Sequence, residues 1–142
     1  MAGGRAEEGV RLKDGFAPGI VEEMTVATTP PMGTTHLGPS VLPMFSTPSM
    51  IQLIEDTCIR LVDAYVEPGE QSVGTRVDVQ HVAPTTIGKS VTARVVLREV
   101  NGRRFGFNIE VKNEDGVTIG EGTHDRALID VARFAAAYGS RR

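Results

Sequence analysis

Between Thr47 and Tyr65 apolar residues recur at helical spacing, and one acidic residue falls among them. At about 100° per residue, Ile51, Ile54, Cys58, Leu61, Val62 and Tyr65 gather on one side. Ser49, Gln52, Asp56, Arg60 and Asp63 gather on the other, the side expected to face water. Glu55 lies about 40° from Ile51, at the border of the apolar stripe. A carboxylate there snorkels to solvent, is paired, or is used, because burying it alone penalises its charged form. Thr47 is the expected N-cap, with Pro48 at the first helical position. Glu67-Pro68-Gly69-Glu70 stops the helix.

Downstream the period changes from helical to two. Over 72–82, Val73, Thr75, Val77, Val79 and His81 share one parity and predict one strand face. Over 90–99 the apolar set is Val91, Ala93, Val95 and Leu97. Over 103–112 it is Phe105, Phe107, Ile109 and Val111. Asn101-Gly102 between these two runs is a hairpin signal. A last strand is predicted over 117–131, with a bulge at Gly120 and Gly122. Upstream, 20–28 reads as a strand and the Pro- and Gly-rich 29–46 as a loop. Residues 132–142 read as a polar or helical tail, and 1–9 as a frayed end. Strand, long helix and four hairpin-linked strands make an α+β plan: a curled antiparallel sheet wrapped around one central helix.

The length of 142 residues suits one domain spanning the chain. With 40% hydrophobic and 23% charged residues it can bury a core without disulfide or metal. Aromatics are 5% and Trp is absent, so that core is expected from Val, Ile, Leu, Ala and Met. A net charge of −3 argues against a nucleic-acid partner. The single Cys58, on the greasy side of the helix, reads as a packed thiol. No apolar run is long enough to cross a bilayer, and MAGGRAEEGV has no apolar leader stretch. A cytoplasmic protein without a membrane partner is the expectation.

Two titratable residues enter the predicted apolar layer. Glu55 comes from the helix, and His81 shares the parity of the core valines at a strand end. A lone histidine on such a face is more often a satisfied core residue than a catalyst. The pair is the stronger signal. Thr47 at the helix start adds a hydroxyl beside free backbone N–H groups, which favour developing negative charge. Removing one donor from an oxyanion site typically costs about 3 kcal/mol of barrier. Thr, Glu and His together point to acyl transfer. Other chemistries lack their motifs: there is no GxxxxGK[ST] loop and no GxSxG elbow. His36, His81 and His124 have no metal-ligand spacing.

Several segments resemble the fluoroacetyl-CoA thioesterase family of hot-dog proteins. They are Phe45-Ser46-Thr47-Pro48 leading to Glu55, the run Glu67 to Thr75 (EPGEQSVGT), Val79 to Ala83 (VQHVA), Val100 to Arg104 (VNGRR) and Gly120 to Ala127 (GEGTHDRA). The resemblance extends from His36 to Phe134. It implies a homodimer with sites at the subunit interface, hydrolysing a small or short-chain acyl-CoA. The family's catalytic Thr, Glu and His fall on Thr47, Glu55 and His81. Its substrate-binding positions fall on Phe45, Gly74 and Arg126. No cofactor is implied, since coenzyme A belongs to the substrate. The stretch from His36 to Phe45 is shorter than the phenylalanine-bearing lid of fluoroacetate-specific members, and keeps only Phe45. The alternative is a hot-dog dimer that binds acyl-CoA, or another small ligand, without turnover. A hydratase is disfavoured, because its DxNxxH-type helix entry is absent.

Overall fold

The computed structural model describes residues 12–141. The expected frayed end, 1–9, lies outside them. Five strands form one antiparallel sheet: β1 (Val21–Ala27), β2 (Glu70–His81), β3 (Ser90–Asn101), β4 (Arg104–Asn113) and β5 (Thr118–Asp130). Their spatial order is β1-β3-β4-β5-β2, so the second strand in sequence is an edge strand. Helix α1 (Thr47–Asp63) packs against the sheet, touching β1, β2, β3 and β4. A short helix α2 (Val131–Tyr138) ends the chain, where a polar or helical tail was expected. Among the described residues no helix is long and apolar enough to cross a membrane.

The expected inner faces of β3 and β4 are the observed ones: Val91, Ala93, Val95, Leu97, Phe105, Phe107, Ile109 and Val111 are all buried. Each of these side chains except Ala93 stabilises the fold by roughly 1.5–3 kcal/mol on burial. The core is not wholly aliphatic, since Phe45, Phe105 and Phe107 are among its largest buried side chains. Three phenylalanines thus supply the bulk that a Trp-free core needs.

The helix departs from expectation in two ways. Its buried stripe is Met50, Leu53, Ile54, Thr57, Cys58, Leu61 and Val62, while Ile51 is only half-buried. The sheet therefore covers a face rotated away from Ile51. Thr57 is tolerated there because its hydroxyl donates to the Leu53 carbonyl at 2.7 Å. Ser46, not Thr47, is the N-cap: its Oγ accepts from the Ser49 amide at 3.2 Å. Ser is the better cap, and the shift leaves the Thr47 hydroxyl free for another partner.

Strand β2 carries the second correction. Its register against β5 slips between Gly74 and Arg76, leaving Thr75 as an extra residue. The slip inverts the alternation. Val77 opposes His124, and Val79 and His81 share its face, as expected. Before the bulge the inward residues are instead Glu70 and Ser72, both buried, and then Gly74. Val73 and Thr75 do not lie on the Val77 face. The bulge expected at Gly120 and Gly122 falls at Ile119 instead: Val111 pairs with Gly120, and Lys112 with Thr118.

Candidate active site

The side chains singled out in the sequence form two clusters on the inner face of the sheet. The first is at the helix start. Thr47 Oγ1 lies 2.9 Å from His81 Nδ1. Thr47 is brought there by the Ser46 cap, and His81 by the inverted parity of β2. His81 Nε2 is enclosed and has no hydrogen-bond partner. Burial pushes the His81 pKa below its ordinary value, because the imidazolium loses hydration. A cleft of about 340 Å³ opens here, lined by Thr34, Met44, Phe45, Thr47, His81 and Ala83 among others. Phe45 lines this cleft while itself lying in the core at 2% exposure. Ahead of it, Leu37, Val41 and Leu42 stand exposed on the loop.

The second cluster is one strand-length away. Glu55 Oε2 lies 3.4 Å from Arg126 Nη1 and 3.9 Å from His124 Nε2. The Glu55 side chain is 33% exposed while that of Arg126 is 3% exposed, so a buried cation holds a carboxylate that still meets water. Desolvation pushes the Arg126 pKa down and the neighbouring acid pulls it back up. Four contacts explain how a guanidinium survives burial. Nε donates to Ser72 Oγ at 2.8 Å and Nη2 to the Ser72 carbonyl at 2.9 Å. Nη1 reaches His124 Nε2 at 3.1 Å and Glu55 at 3.4 Å. Gly74 lies against this group: a Cβ there would come 2.5 Å from Glu55 Oε2. Cys58 is beside it, fully buried, its thiol pushed up to about 12 chiefly by desolvation. Such a thiol is packing material and not a nucleophile.

Within one chain the two clusters stay apart. Thr47 and Glu55 are separated by about 12 Å of helix axis. Gly74 and His81 are separated by on the order of 20 Å of strand. Ser72 and His124 were not singled out from the sequence. Their signal was legible only for His124, which shares the parity of Arg126 and the core residue Leu128. Ser72 was hidden by the bulge.

An antiparallel sheet of this order packed on one long helix, with an acid, an imidazole and a hydroxyl on its inner face, defines a hot-dog-fold protein. The chain belongs to the fluoroacetyl-CoA-specific thioesterase family (FlK), whose model matches residues 21–132. The fluoroacetyl-CoA thioesterase of Streptantibioticus cattleyicolor is 44% identical over 94 residues, a stretch spanning 66% of each chain. The solved structure of the fluoroacetyl-CoA thioesterase FlK superposes with a TM-score of 0.79 at 35% identity, covering 87% of this chain and 96% of that one. A thioesterase-superfamily protein of Thermus thermophilus superposes with a TM-score of 0.80 at 25% identity, covering 88% and 92%.

Proposed function

We propose that this chain is a thioesterase that hydrolyses a small or short-chain acyl-CoA, acting as a homodimer with its sites at the subunit boundary. The observation that carries this reading is the solvent-reaching Glu55 carboxylate, held by buried Arg126 against a glycine backbone. A purely structural ion pair needs neither the water access nor the space that Gly74 leaves.

The edge position of β2 supports the homodimer. Its residues Gly74 to Asp78 are exposed in succession, including Val77 at 40%. An unpaired edge of this kind is a template for another strand. If β2 pairs with its own copy about a two-fold axis, the strands run antiparallel. The His81 end of one subunit then adjoins the Gly74 end of the other. A complete site combines Glu55, Gly74 and Arg126 with the partner's Thr47 and His81.

In this arrangement the thioester carbonyl sits between the clusters. Glu55 either takes a proton from the attacking water, or adds to the carbonyl itself to give an acyl anhydride that water opens once the thiol has left. The carbonyl oxygen takes up negative charge near the backbone N–H groups of the helix start and Gly74. The C–S bond then breaks. The sulfur leaves as the thiol with a proton from the His81 imidazole, and the proton released by water, passed on from Glu55 where Glu55 is the base, restores His81. The products are the carboxylic acid and free coenzyme A, so chain and water supply every reacting group except the substrate. Thr47 orients the imidazole or the water. The exposed Leu37, Val41 and Leu42, in place of a longer phenylalanine lid, favour an acyl group other than fluoroacetyl alone. A cytoplasmic setting agrees with an acyl-CoA substrate and a single thiol.

Thiol release from a panel of acyl-CoAs of graded length, read with a chromogenic reagent, tests the activity and ranks the acyl groups. Glu55→Gln should lower turnover by roughly 10²–10⁴-fold while the protein stays folded. Turnover at the parent rate in that variant, or tight binding without thiol release in the parent, would refute the reading.

A further inference from the structure

His124 is fully buried, and the nearest partners of its two ring nitrogens differ in whether they donate or accept. Nδ1 lies 2.8 Å from the Arg76 carbonyl oxygen. A carbonyl only accepts, so Nδ1 carries a hydrogen. Nε2 lies 3.1 Å from Arg126 Nη1. A guanidinium only donates, so Nε2 presents a lone pair. The ring is the neutral Nδ1–H tautomer. A second proton would set an N–H against the N–H of Arg126 and place two cations side by side.

The same guanidinium has its other edges tied to Ser72 Oγ and the Ser72 carbonyl. The remaining nitrogen is Nη1, held in the plane those bonds set. It has two hydrogens, one directed to His124 and one to Glu55 Oε2. We propose that His124 is a positioning residue of the hydrolytic site: its Nε2 lone pair fixes the Arg126 hydrogen that faces the Glu55 carboxylate. The inference rests on Glu55 being the hydrolytic group. The charged groups acting on the imidazole are Arg126 and Asp125 from β5 and Glu55 from α1, with the Arg76 carbonyl from β2. Desolvation is the largest influence and pushes the His124 pKa below its ordinary value.

Nitrogen-15 NMR of the histidine side chains in the full-length protein reads the tautomer directly. The expected result is an Nδ1–H ring that stays neutral while pH falls through about 6.5, where an ordinary imidazole titrates. An Nε2–H ring, or ordinary titration, would overturn the proposal. Two variants separate positioning from packing. His124→Gln keeps an acceptor near Nε2, and should retain kcat within a few-fold. His124→Phe fills the space without an acceptor, and should lose roughly ten- to a hundredfold in kcat with KM unmoved. A folded Phe variant with parental kcat, or equal loss in both variants, would also overturn it. If the parent protein hydrolyses no acyl-CoA, the functional reading fails by itself, and the NMR result still decides the tautomer. That result also stands if the Phe variant does not fold.

Discussion

Glu55 occupies the border between the packed and wet sides of α1, where a carboxylate can be held by Arg126 and still reach solvent. Its position is set by contact with Gly74 as much as by charge. The Cβ of Gly74→Ala would displace Oε2, the far end of a flexible side chain. The expected outcome is a folded protein with kcat reduced about a hundredfold; unchanged kcat in that variant would show that the carboxylate position does not matter. The histidines make a second residue-scale prediction. His81 and His124 both have pKa values lowered by burial. Above the ordinary histidine value, folded and unfolded chains alike leave these rings neutral. As pH falls below it, the unfolded chain takes up protons that the folded chain refuses, so stability falls down to the folded-state values. Tm should therefore decrease on acidification from pH 7, and His81→Asn should flatten the slope. Glu55 and Thr47 were legible from spacing. The Arg126 contacts were not, because they depend on a helix 71 residues away in sequence and a strand 54 residues away.

At the scale of elements, two local details place the chemistry. Ser46 takes the capping role expected of Thr47, and so leaves the Thr47 hydroxyl to His81. Ser46→Ala should cost about 0.5–2 kcal/mol of stability in urea unfolding. A second effect, lower activity through a frayed first turn, should accompany it. The bulge at Thr75 is the other detail. It turns Ser72 and Gly74 inward on one side of the slip and Val77, Val79 and His81 inward on the other. An uninterrupted strand could not present Gly74 and His81 on the same face, since they differ in parity. Strict alternation over 72–82 hid this, because a bulge has no pattern of its own in Val-rich sequence. The hairpins were legible. Asn101-Gly102 and Gly116 mark turns where φ is positive, at 65° for Gly102 and 78° for Gly116.

At the scale of the whole molecule, the five-strand order leaves β2 as an edge, and the two halves of the candidate site at its opposite ends. A shared site makes a sharp prediction. Glu55→Gln and His81→Ala should each be inactive alone. When the two are unfolded together and refolded, statistical pairing gives half heterodimers, each with one intact site, so about a quarter of parental activity should return. No recovery in heterodimers shown to have formed would mean that each chain completes its own site. Sedimentation should report a dimer throughout.

Periodicity was enough to locate the long helix, the strands and their inner faces, because helical and extended backbones impose periods that core burial must follow. It was enough, too, to mark Glu55 and His81 as polar intruders. Which groups meet could not be read that way. The Thr47–His81 contact, the Thr75 slip and the Arg126–His124–Ser72 cradle arise from contacts between segments far apart along the chain, where geometry, and not local preference, selects the partner.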